Sequence, residues 1–183
     1  MKEKYQKIIK KLNNETIEYA SYVEDPSDIS SRLARHFIIL NPPELKEVFK
    51  WKGEEIKGLV PYLIKAMESP DKDFAAHIML YAITKTPVGA FEWYSAKEWK
   101  KELKIIEHLH WRIWWEKYKD RITWDEKWKR LKPILFEIWV EKGRKEGRDA
   151  GEIMHEEMIN FIKEKKLPIR LIENESKNKE PKK

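Results

Sequence analysis

Apolar residues recur along this chain at spacings of three and four, and no stretch alternates strictly over the length of a strand. Such spacing lays one face of a helix against a core. Tyr5, Ile8, Ile9, Leu12, Ile17, Tyr19 and Tyr22 form a first stripe, which Pro26 ends. Ile29, Leu33, Phe37 and Leu40 form a second, capped by Ser27 or Asp28 and stopped at Asn41-Pro42-Pro43. A short helix follows with Leu45, Val48 and Phe49. Beyond Gly53 another carries Ile56, Leu59, Leu63, Ile64 and Met67, and Pro61 inside it predicts a kink or a break.

Ser69-Pro70-Asp71 supplies a cap, a first-turn proline and an early acid for a helix through Phe74, Ile78, Leu80, Tyr81 and Ile83. Thr86-Pro87-Val88-Gly89 reads as a loop. Ser95 to Glu98 and Thr123 to Glu126 both have capping-box spacing. They predict helices to about Asp120 and about Lys142. Gly143 and Gly147 lie in a basic turn, and a last helix runs from Asp149 to Lys166. The expected fold is all-α: an irregular bundle of about seven or eight helices with a Trp-rich core and no sheet. Residues 1–166 form a single helical domain, and 167–183 a polar, Lys-rich, flexible tail.

Aromatic residues sharpen this picture. The segment EHLHWRIWWEKYKDRITWDEKW, residues 107–128, holds five of the nine tryptophans. Trp124, Trp128, Leu131, Leu135, Ile138 and Trp139 follow helical spacing. So do Trp111, Trp115 and Tyr118, and so do Leu103, Ile106, His110, Ile113 and Trp114. Stripes covering most of a helix's circumference place it centrally, so these tryptophans are expected to be mainly core.

Composition excludes several chemistries. The chain has no cysteine, which removes disulfides, thiolate nucleophiles and zinc–thiolate sites. No run of 18 or more apolar residues occurs, so no membrane span is expected, and the N-terminal segment lacks the features of a secretory signal. A cytoplasmic protein, or one carried in a particle assembled in the cytoplasm, is expected. Charged residues make up 38% of 183, mostly Lys and Glu, with one glutamine; this fits a thermophilic, archaeal or viral setting. No glycine-rich phosphate loop or nucleophile elbow occurs, and no cofactor is expected.

The net charge of +6 is concentrated. Residues 1–95 balance at 14 basic and 14 acidic side chains, whereas residues 96–148 carry 16 basic and 10 acidic. The surplus coincides with the tryptophan-rich region. Cations gain from counterion release on phosphates, and exposed indoles stack on bases. Lys127, Lys129, Arg130 and Lys132, with Arg144, Lys145 and Arg148, are therefore the candidate nucleic-acid contacts; Arg144 and Arg148 are four apart and share a helix face if the helix continues.

Glu107-x-x-His110 and Glu152-x-x-His155 share a spacing that carries metals in ferritin-like bundles, and Glu137 lies on the helix between them. That ligand set lacks a fourth glutamate, and no metal residue is assigned. His36 and His77 read as satisfied core or boundary histidines. The expected function is a non-enzymatic nucleic-acid-associated protein, coating or organising DNA or serving as a small subunit of a nucleoprotein assembly. The alternatives are a protein-interaction or oligomeric module, docking through helices such as residues 5–22, and a ferritin-like helical metalloprotein.

Overall fold

The computed structural model describes residues 2–22, 35–40, 43–84, 93–94 and 101–168. Helix α1 (Lys2–Lys11) turns Tyr5 and Ile8 into the core and its lysines outward, and Leu12 just past its end is buried with them. It ends where Asn13 and Asn14 offer the backbone other hydrogen bonds. The Asn13 side chain accepts the Glu15 amide at 2.9 Å. Asn14 donates to Pro70 O (2.9 Å) and to Asp73 Oδ1 (2.7 Å), and accepts the Ala75 amide at 3.0 Å. One asparagine thus anchors the end of the first helix to the start of a distant one.

The helix expected over 5–22 therefore stops short, and the expectation of no sheet is wrong. Residues Ile17–Tyr22 form strand β1, which pairs antiparallel with β2 (Arg35–Leu40) in the register Ile17↔Leu40 to Tyr22↔Arg35. A two-residue β3 (Trp93–Tyr94) pairs with the other edge of β1, giving the order β2-β1-β3. IEYASY and RHFIIL are rich in β-branched and aromatic residues, which suit a pleated surface better than a helix. Residues 28–34, the loop at 86–89, the box at 95–98 and the tail from 169 lie outside the described residues.

Pro43–Lys50 is a 3₁₀ stretch that buries Leu45 and Val48. Helices α2 (Gly53–Lys57) and α3 (Val60–Ala66) follow, and Pro61 sits in the first turn of α3, so the predicted interruption is a break. Gly58 passes so close to Tyr5 that a Cβ there would collide with the phenol. Helix α4 (Asp73–Thr84) is buried on nearly every side, with Phe74, Ala75, Met79 and Leu80 inaccessible. It, rather than the tryptophan-rich helix, is the central element. Asp73 at its start is buried, accepts the Phe74 amide and pairs with Lys104 on α5 (Lys101–Tyr118). Helix α5 contributes Leu109, Trp111, Ile113 and Trp114 to the core.

The capping-box spacing at Thr123–Glu126 opens no helix. Instead β4 (Thr123–Asp125) and β5 (Arg130–Lys132) form a hairpin with Trp124 opposite Leu131. Asp125 decides the outcome, since its carboxylate accepts the amides of Lys127 (2.9 Å) and Trp128 (3.1 Å) and closes a turn that a helix would open. Glu137 then accepts the Ile134 amide at 2.9 Å and starts α6 (Leu135–Glu146). Gly147, at φ 66°, ends it in the left-handed conformation. Asp149 accepts the Gly151 amide and starts α7 (Ala150–Glu164), which folds back on α6.

The described chain is mostly helical around a core containing Trp51, Trp111, Trp114 and Trp139. Buried Glu157 of α7 fastens three helices: it accepts from Tyr118 of α5, and from Trp139 Nε1 (2.8 Å) and Lys142 Nζ (2.6 Å) of α6. Among the described residues no helix is long and apolar enough to cross a membrane.

Candidate functional site

The proposed phosphate contacts fall into two groups. Lys127, Lys129, Arg130 and Lys132 belong to the hairpin; Arg144, Lys145 and Arg148 surround the end of α6. Trp128 lies at the hairpin tip and is 55% exposed, which departs from its helical spacing in the sequence. Lys127 Nζ stands 5.5 Å from the centroid of that indole and makes no ion pair with a described residue. Lys129, in the left-handed conformation at φ 50°, pairs with Glu126 at 2.6 Å.

Arg130 and Lys132 have structural duties. Arg130, largely covered, reaches Glu137 at 2.5 Å and ties the hairpin to the first turn of α6. Lys132 meets the buried Asp125 at 2.6 Å. These cations are struts within the fold as much as surface charge.

Arg144 and Arg148 do not share a helix face, because Gly147 ends α6 between them. Arg148 faces three glutamates: Glu156 at 2.6 Å, Glu146 at 3.2 Å and Glu152 at 3.8 Å. Lys145 pairs with Glu141 at 2.6 Å. Arg144 is exposed and makes no ion pair with a described residue. It lines a surface groove with Phe136 and Val140, two turns and one turn earlier on α6, and Phe136 is 60% exposed. The structure thus leaves Lys127 and Arg144 as the unpaired candidates and gives the other five carboxylate partners among the described residues.

The ligands of the ferritin-like alternative do not converge. Glu137 is engaged by Arg130 and the Ile134 amide, and Glu152 and His155 are exposed on α7. Among the described residues no group of three or more His, Asp or Glu side chains is placed to hold a metal ion. His77 fits its sequence reading: it is buried, and its Nδ1 accepts Trp111 Nε1 at 3.0 Å. Burial, with His110 nearby, lowers it to about 3, so it stays neutral.

Glu107 and His110 line a different feature. Where α4, α5, α6 and α7 meet, a cavity of about 270 Å³ has Glu107, His110 and Tyr81 in its wall. Tyr81 Oη lies 3.5 Å from Glu107 Oε2. Burial pushes the Glu107 carboxyl up to about 7, against the hydrogen bond from Tyr81, which lowers it. Burial also takes His110 down to about 4, and its Nε2 is enclosed with no hydrogen-bond partner among the described residues. Its ring stands edge-on to Trp139 at 5.5 Å. Spacing alone singled out Glu107 and His110, but for metal chemistry. Tyr81 carried no signal, because it comes from a helix 26 residues upstream.

No protein-family model, curated protein or solved structure matches this chain.

Proposed function

We propose that this chain is a non-enzymatic nucleic-acid-associated protein that contacts single strands through the tip of the β4–β5 hairpin. The observation that carries this reading is Trp128, 55% exposed between Lys127 and Lys129 on a short turn. An accessible indole beside cations is the pairing that single-strand binders use, with the ring stacking on a base and the cations taking phosphate. Every base has a π-face, so the reading implies little sequence preference.

The ion pairs do not oppose it. Lys129–Glu126 and Lys145–Glu141 are open to solvent on both sides, and exposed pairs hold their partners weakly. A phosphate can take the place of either glutamate. Arg144 extends the positive surface along α6. Of the stretch 5–22 named for the interaction-module alternative, Tyr5, Ile8 and Leu12 are buried within this chain.

Fluorescence anisotropy with a labelled oligothymidine tests the reading. Binding is expected at low salt, with log Kd linear in log salt. Trp128→Ala is expected to cost about 1–3 kcal/mol, the range for one base stacked on an aromatic ring. Lys127→Ala is expected to reduce the salt slope by about 0.7, one single-strand phosphate contact. No binding at low salt, or binding indifferent to Trp128→Ala, refutes the hairpin as the contact.

A further inference from the structure

We infer that the cavity between α4, α5, α6 and α7 is a binding site for a small organic amine in its ammonium form, held by the Glu107 carboxylate and by the aromatic rings around it. The volume, about 270 Å³, sets the size. At about 30 Å³ per water-sized group, it accommodates about nine non-hydrogen atoms. That is a compact molecule with one ring or a short branched chain.

The chemistry of the lining sets the class. Most of the surface is apolar, from Trp111, Trp139, Phe136, Ile134, Leu135 and Met154. One acidic group interrupts it. Glu107 makes no ion pair with a described residue, and its single described hydrogen bond, from Tyr81, is long at 3.5 Å. A largely buried carboxylate with no counter-ion among the described residues asks for a cation from outside. Trp111, Trp139 and Phe136 line the same space, and a cation among aromatic rings gains further attraction. A metal ion fits poorly, because the remaining polar donors are one phenol and one imidazole in an otherwise apolar wall. An anion fits worse, since no cationic side chain among the described residues lines the cavity. An organic ammonium satisfies both halves: its charge meets Glu107 and its hydrocarbon part meets the rings.

The Glu107 carboxylate is the charged contact, and His110 stands beside it in the wall with its Nε2 enclosed and without a partner among the described residues. Being neutral, His110 adds no competing positive charge. Phe136, 60% exposed, lies in the wall and also on the surface, which makes it the rim of the site.

Protonation gives the site a signature. Among the described residues, the titratable groups facing Glu107 are Tyr81, with His77 beside it, from α4 and His110 from its own helix; α6 and α7 present only uncharged side chains to the cavity. In the empty site, burial keeps Glu107 largely protonated below about 7. Ammonium binding at lower pH therefore expels a proton, and affinity falls about tenfold per pH unit below that point.

Calorimetric titration with benzylamine, set against the neutral isostere benzyl alcohol, tests the inference without any nucleic acid present. Benzylamine is expected to bind at least tenfold more tightly than benzyl alcohol at about pH 8. At about pH 6 its binding heat is expected to vary with the buffer's ionisation enthalpy, as one proton leaves. Glu107→Gln is expected to remove both the preference and the proton release, with an unchanged circular dichroism spectrum showing that the fold persists. Phe136→Ala, at an exposed position that leaves the core intact, is expected to weaken benzylamine several-fold. Equal binding of amine and alcohol, no binding of either, or a Glu107→Gln protein that retains the preference each overturns the assignment. The nucleic-acid reading stands or falls separately, on Trp128.

Discussion

Replacing Glu107 by glutamine is expected to stabilise the protein in mild alkali and to leave it unchanged in acid. The carboxyl sits against Tyr81 in a wall made mostly of apolar side chains. Burial raises it to about 7 from an ordinary 4.5, and the Tyr81 hydrogen bond offsets only part of that rise. Between those two values the folded chain holds a proton that the unfolded chain has released. A group of this sign makes its full contribution below about 4.5 and loses it as pH rises through about 7. At about 1.4 kcal/mol per tenfold change in proton affinity, the loss reaches about 3 kcal/mol by about pH 8. Glutamine keeps the shape and carries no charge to bury, so it escapes the loss. Urea unfolding followed by tryptophan fluorescence measures the difference. Midpoints are expected to coincide at about pH 4 and to separate by about 1–2 M at about pH 8, the variant being the more stable. His77 and His110 titrate over an overlapping range with the opposite sign, but both proteins contain them and the subtraction removes their effect. A difference that is the same at both pH values, or a variant less stable at pH 8, refutes the burial argument. The expected gain is also what a binding group costs its fold when its ligand is absent.

Other consequences are equally open to measurement. Glu157→Ala leaves the buried Trp139 indole N–H and the Tyr118 hydroxyl without their acceptor, and is expected to cost about 3–5 kcal/mol in denaturant melts; Glu157→Gln, which keeps one acceptor oxygen, should cost about half that. Burial raises the Glu157 carboxyl, but the bonds from Lys142, Tyr118 and Trp139 together lower it further, so its contribution is complete above about 4.5 and is lost as pH falls through the depressed folded value. Asn14→Ala removes three hydrogen bonds that join the end of α1 to the start of α4 and is expected to cost about 2 kcal/mol, with hydrogen exchange accelerated in the first turn of α4. His110 is held neutral down to about 4 in the fold and charges at about 6.5 when unfolded, so wild-type stability should fall as pH drops from 6.5 to 4, and His110→Phe should flatten about 3 kcal/mol of that slope.

Parts of this architecture were plain in the sequence because only one structure could satisfy them. Tyr5, Ile8 and Leu12 fit only a helical stripe, and α1 with the residue after it buries them. Pro61 has no amide proton to offer a helix interior, and the break is there. The hairpin at 123–132 is the instructive failure. Trp124, Trp128 and Leu131 sit at three- and four-residue intervals, which reads as one helix face. A tight hairpin produces the same spacing: Trp124 and Leu131 are cross-strand partners, and Trp128 falls in the turn between them. Local patterning cannot separate the two, because the choice depends on whether Asp125 caps a helix or closes a turn around the amides of Lys127 and Trp128. That choice moves Trp128 from the core to the surface and creates the proposed contact. Charge counting met the same limit. Seven cations near the tryptophans look alike in sequence, yet Arg130 and Lys132 brace the hairpin while Lys127 and Arg144 make no ion pair with a described residue. For Glu107 and His110 the sequence supplied the pair but not what surrounds it. A carboxylate and an imidazole three residues apart suit a metal or an organic cation equally well, and of the aromatic rings that favour the second, Phe136 and Trp139 come from α6 and Tyr81 from α4, with only Trp111 beside the pair on α5.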